Sequence, residues 1–160
     1  MKNSVKMLGA TCVTLAMMVS IAAAASWRNL PPTLGAPWQS GVTSQVDTNW
    51  NYADNVLTNG ATTARTWTVP FTTDDAFANT TVSTRGVFAD GIGAAGSSTA
   101  QVIVNRFDGT RLASGAVVQA PSTSLTSLAL GNFVQPTGAT IYVNYVIGAS
   151  GRVSASGIFY

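Results

Sequence analysis

The sequence predicts a mainly β protein: an antiparallel β-sandwich of Greek-key or jelly-roll type, preceded by an extended arm and one short helix. Three observations lead there. Beyond Gly60 the apolar residues recur with period two in seven short runs. Turn-forming residues punctuate those runs at close spacing. The segment before them is rich in proline and carries no sheet-like alternation.

The first 25 residues read as an export signal. Lys2 and Lys6 form a basic start, Met7 to Ala25 is uncharged, and Ala23-Ala24-Ala25 supplies small residues for cleavage before Ser26. The expected protein is therefore secreted, at the cell surface or extracellular, or else periplasmic, with no membrane segment after cleavage. Residues 26–62 follow as an N-terminal arm. Pro31, Pro32 and Pro37 favour an extended path between Trp27 and Gln39. Val42, Val46, Trp50, Ala53 and Leu57 then form an apolar stripe that predicts a helix over 43–58, ended by Asn59-Gly60. Thr43, Asp47, Thr48, Asn49, Asn51 and Asn55 are poor helix formers and weigh against it.

Residues 63–160 form the predicted sandwich. Arg65, Trp67, Val69 and Phe71 alternate with Thr66, Thr68 and Pro70. Further strand-like runs are Thr81 to Phe88, Ala100 to Phe107, Ala116 to Ala120, Leu125 to Val134, Ala139 to Ile147 and Arg152 to Tyr160. Asp74-Asp75, Asp90 to Ser98, Asp108-Gly109, Pro121-Ser122, Pro136-Thr137-Gly138 and Ala149-Ser150-Gly151 separate them. Asp108-Gly109 is the sharpest hairpin signal among these.

Composition narrows the chemistry. After residue 25 the basic residues are six arginines (28, 65, 85, 106, 111, 152) and the acidic ones six aspartates (47, 54, 74, 75, 90, 108). The net charge of that part is zero, and it holds no Lys, Glu, His, Cys or Met. Histidine catalysis, thiol chemistry, Schiff bases and thiolate or imidazole metal sites are excluded from it. A neutral chain also gives no reason to expect nucleic acid. Stability must rest on packing and hydrogen bonds, without a disulfide.

The motifs have ordinary explanations. Gly91-Ile92-Gly93-Ala94-Ala95-Gly96 matches a dinucleotide fingerprint, but Ser97 to Gln101 leads directly into Val102-Ile103-Val104, with no room for the helix that such a site needs. A mobile glycine-rich loop over Gly91 to Ser98, binding no nucleotide, is expected. The aspartates lie mostly in turns, where they bond the local backbone. An aspartate-based hydrolase and one structural Ca²⁺ at Asp47/Asn49, Asp74/Asp75/Asn79 or Asp90 are the minor alternatives. No cofactor and no metal are expected. Asn79-Thr80-Thr81 forms a glycosylation sequon. Phe159-Tyr160 resembles the terminal signal of outer-membrane barrels, yet several runs are too short for membrane-spanning strands.

Aromatic residues are the best lead to a ligand. Trp38 in the arm and Tyr142, on the less apolar face of its strand, are the candidate ligand-binding residues. Trp50 and Trp67 are expected in the core. The first functional expectation is a non-catalytic secreted structural or adhesive subunit, self-associating through its arm or a sheet edge, with the arm folded back on its own domain as the alternative to contact between subunits. The alternative is a small carbohydrate-binding domain, its rings stacked on the apolar faces of a glycan.

Overall fold

The computed structural model describes residues 27–37, 50–71, 73, 78–93 and 96–160. Twelve strands lie among them: β1 (Trp27–Leu30), β2 (Ala36–Pro37), β3 (Trp50–Ala53), β4 (Val56–Asn59), β5 (Arg65–Phe71), β6 (Thr81–Ala89), β7 (Thr99–Arg106), β8 (Arg111–Ser114), β9 (Val118–Gln119), β10 (Thr126–Val134), β11 (Ala139–Ile147) and β12 (Arg152–Phe159). One 3-10 turn, Pro32–Leu34, separates β1 from β2. The strands form two antiparallel sheets. The first has the order β10-β6-β12-β4-β3, with β1 also paired to β12. The second has the order β2-β5-β11-β7-β8, with β9 also paired to β7. Strands β5, β6 and β7 alternate between the sheets, as do β10, β11 and β12, so the fold is the expected antiparallel sandwich.

The period-two pattern decides which side of each strand meets the other sheet. Trp67, Val69 and Phe71 of β5, Val82 and Phe88 of β6, Val102 and Val104 of β7, and Ile141, Val143, Tyr145 and Ile147 of β11 are all buried. Thr68 and Asn144 remain only half-buried on the opposite side, and Pro70 is exposed there. Burial of each large apolar side chain contributes about 1.5–3 kcal/mol. Asp108-Gly109 closes a three-residue loop between β7 and β8. Gly109 has φ 86° and its N–H donates to the Arg106 carbonyl at 2.9 Å. Only Gly109 takes the left-handed conformation there, as in a turn closed by a glycine bulge.

Two expectations are revised. The helix over 43–58 is replaced, within the described residues, by a β-hairpin: β3 and β4 pair from Trp50↔Asn59 to Ala53↔Val56. Asp54 (φ 51°) and Asn55 (φ 61°) form its two-residue turn, a conformation that these two residue types tolerate better than most. Trp50 and Leu57 share one face of a helix by spacing, and they share one face of this hairpin by pairing. Residues 43–49 lie outside the described residues. The arm, second, is built into the sandwich wherever it is described. Strand β1 pairs with β12 from Trp27↔Phe159 to Leu30↔Ser156, and β2 pairs with β5 through Ala36↔Thr68. The segment 1–25 is not described.

At the centre of the core Tyr145 crosses between the sheets. Its hydroxyl lies 2.7 Å from Ser156 Oγ and donates to the Ala155 carbonyl at 3.3 Å. Its ring meets Phe88 edge-on at 5.6 Å. Gly86 makes room for it, because a Cβ there would stand 2.6 Å from the Tyr145 hydroxyl. Burial pushes the Tyr145 hydroxyl well above the ordinary tyrosine value of 10.0, while the Ser156 bond partly opposes the shift.

Replacing Tyr145 by Phe leaves the buried Ser156 hydroxyl without this partner, and is expected to cost about 1–3 kcal/mol in urea unfolding. The raised value also sets an alkaline limit. Below pH 10 both folded and unfolded chains hold the proton. Above it the unfolded chain loses the proton first, so stability falls as pH rises. Stability measured from pH 8 to 11.5 should decline above 10, and Tyr145→Phe should flatten that decline.

Candidate functional site

Strands β5, β11 and β7 turn one face to the core and the other outward. Register brings the outward residues into rows: Pro70–Tyr142–Ile103, Thr68–Asn144–Gln101, and Thr140 beside Asn105. No charged side chain occupies an outward position of these three strands. They carry one phenol ring, three amides and several hydroxyls beside the exposed Pro70 and Val146 and the buried Ile103.

Tyr142 is the candidate that the sequence singled out, and it lies half-buried in the middle of this face. Its hydroxyl accepts a hydrogen bond from Asn105 Nδ2 at 3.1 Å, which leaves its own proton to donate. Thr68 Oγ1 donates to Asn144 Oδ1 at 2.6 Å, which fixes the amide and points its NH₂ group elsewhere. Gln101 Nε2 donates to the Gly115 carbonyl at 3.0 Å, leaving its oxygen as an acceptor. Asn105 Oδ1 is buried and has no protein partner, so a donor brought by a ligand or water would satisfy it. Pre-oriented donors and acceptors around a ring suit an uncharged, hydroxyl-rich ligand. Trp38, the other candidate, lies outside the described residues.

The remaining aromatics have structural places. Trp67 is buried, and its Nε1 donates to the Pro32 carbonyl at 2.9 Å. Trp50 packs edge-on against it at 5.1 Å, with its own Nε1 buried and unpaired. Phe107 is 95 % exposed at the tip of the β7–β8 loop.

The glycine-rich loop is held from within. The Asp90 carboxylate is buried and accepts the Gly96 N–H at 2.5 Å and the Ser98 N–H at 2.6 Å. Gly91 passes so close to the Ala149 carbonyl that a Cβ would collide with it. Asp108 accepts the Thr110 N–H at 2.9 Å, which holds its carboxyl below the ordinary aspartate value. Both aspartates thus bond the backbone as turn residues do. Among the described residues no group of three or more His, Cys, Asp or Glu is placed to hold a metal ion. Asp47, Asn49, Asp74 and Asp75 are not described. No helix among the described residues is long and apolar enough to cross a membrane.

Several members of the Tyr142 face were missed in the sequence. Thr140, Tyr142 and Asn144 share a side by alternation alone, which is legible. Asn105, Gln101 and Thr68 join them only through cross-strand register, which no local pattern encodes.

No family model and no curated protein matches the chain. Solved structures do share the fold. A xylan-binding module, CBM15, superposes with a TM-score of 0.54 at 13% identity, over 84% of this chain and 95% of that module. The Podospora anserina GH26-CBM35 β-(1,4)-mannanase matches with a TM-score of 0.50 at 11% identity, over 82% of this chain. The chain spans only 27% of the length of that enzyme. At these identities the likeness establishes the β-sandwich fold.

Asp90→Asn keeps one acceptor oxygen where two N–H groups now bond. It is expected to lower stability by about 1–3 kcal/mol and to speed amide exchange at Gly96 and Ser98. Unchanged exchange at both amides would show that other contacts hold the loop.

Proposed function

We propose that this protein is a non-catalytic carbohydrate-binding domain, and that the outward face of β5, β11 and β7 receives an uncharged glycan. The observation that carries the reading is the setting of Tyr142: a half-buried ring among Asn105, Asn144 and Gln101, with no charged side chain at an outward position of its three strands. The ring offers an apolar surface to the C–H side of a sugar, and the amides bond its hydroxyls. The likeness to a xylan-binding module over nearly all of that module's length supports the same reading. Xylan is therefore the first ligand to try, with mannan beside it.

The structural or adhesive subunit is the second reading. The segment expected to reach a neighbouring subunit is paired within its own chain, β1 on β12 and β2 on β5. That in-chain pairing occupies the described part of the arm, one of the two routes to self-association, and so favours glycan binding.

Affinity electrophoresis in gels containing soluble xylan or mannan tests the proposal. Wild-type protein should be retarded by at least one of them. Tyr142→Ala should weaken binding roughly tenfold or more, a loss of about 1.4 kcal/mol or greater. Tyr142→Phe, which keeps the ring, should lose less. No retardation by any neutral polysaccharide, together with concentration-dependent assembly in solution, would favour the subunit reading.

A further inference from the structure

The opposite side of the sandwich carries a different surface. The outward face of β6, β10, β12 and β1 is hollowed into an open depression of about 450 Å³, lined by Asn29, Arg85, Val87, Ser127, Ala155 and Gly157. Its origin lies in two irregularities on either side of β6. The β6–β12 register shifts between Val153 and Ala155, and the β6–β10 register shifts between Ala129 and Gly131. Bulges bend and twist a strand, and here both neighbours of one strand carry them. Gly131, with φ 135°, takes a backbone conformation that other residues rarely adopt.

Register sets the floor and walls of the hollow. Across the sheet the row reads Ala129–Arg85–Gly157–Asn29. Arg85 is exposed, and its cross-strand neighbours in this row are Ala129 and Gly157. Asn29 stands beyond Gly157, about 10 Å from Arg85 at two strand spacings. Arg85 is the one charged residue of the lining. Arg152 is the other charge on the outward side of these strands, and its guanidinium donates to the Thr123 carbonyl. The outward positions of β6, β10, β12 and β1 include no acidic residue. The hollow therefore presents a guanidinium on one wall, an amide on the other and the Ser127 hydroxyl nearby.

We infer that this hollow is a second binding site, selective for a carboxylate-bearing sugar, with the carboxylate on Arg85 and ring hydroxyls on Asn29 and Ser127. A guanidinium fork matches a carboxylate with two parallel hydrogen bonds, which gives both strength and orientation. Gly157 lets the ring approach the sheet backbone. The site lies on the other sheet from Tyr142, and sheets pack about 10 Å apart, so one sugar ring cannot occupy both. The inference does not rest on the Tyr142 reading, and either site can fail alone.

The experiment uses trigalacturonic acid and its methyl ester, which differ in charge and in one methyl group per carboxyl, titrated into the protein and followed by calorimetry and amide chemical shifts. The acid should bind saturably, with shifts at Asn29, Arg85 and Gly157, and the ester should bind roughly tenfold more weakly or worse. Arg85→Gln should abolish that preference while its thermal midpoint stays near wild type, since Arg85 is exposed on a sheet surface. Arg85→Lys should retain part of it. Raising salt to 0.5 M should weaken the acid, and Tyr142→Ala should leave it unchanged. Equal affinity for acid and ester, full affinity in Arg85→Gln, or no saturable binding would overturn the inference. Competition by acetate at equal carboxylate concentration would also overturn it, because the sugar would then contribute nothing.

Discussion

The contact between the hydroxyls of Tyr145 and Ser156 is the constraint on which the rest of the sandwich depends. Two sheets held by apolar packing alone could slide against one another at small cost. A polar pair at the centre removes that freedom, because any slip buries two hydroxyls without partners. The position also explains its neighbours. Gly86 has no side chain because the Tyr145 hydroxyl occupies the space, and Phe88 offers the edge contact that the ring prefers. The second bond, to the Ala155 carbonyl, lands on the irregular stretch of β12 and holds it in place. Core and surface are thereby linked: the group that locks the sheets together also supports the bulge beneath the outer hollow.

The two outward faces differ because their sheets are built differently. Strand β11 pairs without interruption to β5 and β7, so its outward residues align in straight rows. Straight rows put Tyr142 between Pro70 and Ile103 and set three amides around it. Strand β6 has an irregular partner on each side, and its face curves. One sheet thus offers aligned, uncharged rows and the other a hollow with a cation on its wall. These are two chemically distinct surfaces on one small domain, and they arise from register alone.

Much of the fold was legible in the sequence. All seven period-two runs correspond to strands, several to within a residue, because each carries apolar side chains on one side and ends at turn chemistry. Five strands were not read. Strands β1 and β2 are four and two residues long, too short to show alternation, and prolines mark the region as irregular. Strands β3 and β4 were read as helix because Trp50, Ala53 and Leu57 fall at helical spacing. The turn pair Asp54-Asn55 lacks the glycine that usually announces a tight hairpin. Strand β8 is exposed at all four positions and so has no apolar periodicity to find. The surfaces were legible only in part. Tyr142 stood out as a large ring among polar neighbours in its own strand. Arg85, Asn29 and Gly157 belong to three strands far apart in sequence, and their meeting depends on two bulges that no local pattern announces.

The pairing of β1 with β12 also imposes an order of events. The first described strand finds its partner only in the last, and β12 is at the same time the partner of β4 and β6. A ribosome delivers Trp27–Leu30 long before Ser156–Phe159 exists. Until then the first sheet lacks the strand that joins β6 to β4, and its early strands cannot close. Fold completion is thus deferred until β12 has been made, and non-local closure of this kind is slow. The late strand works as a clasp: one segment, arriving after its partners, fastens three strands that come from separate parts of the chain.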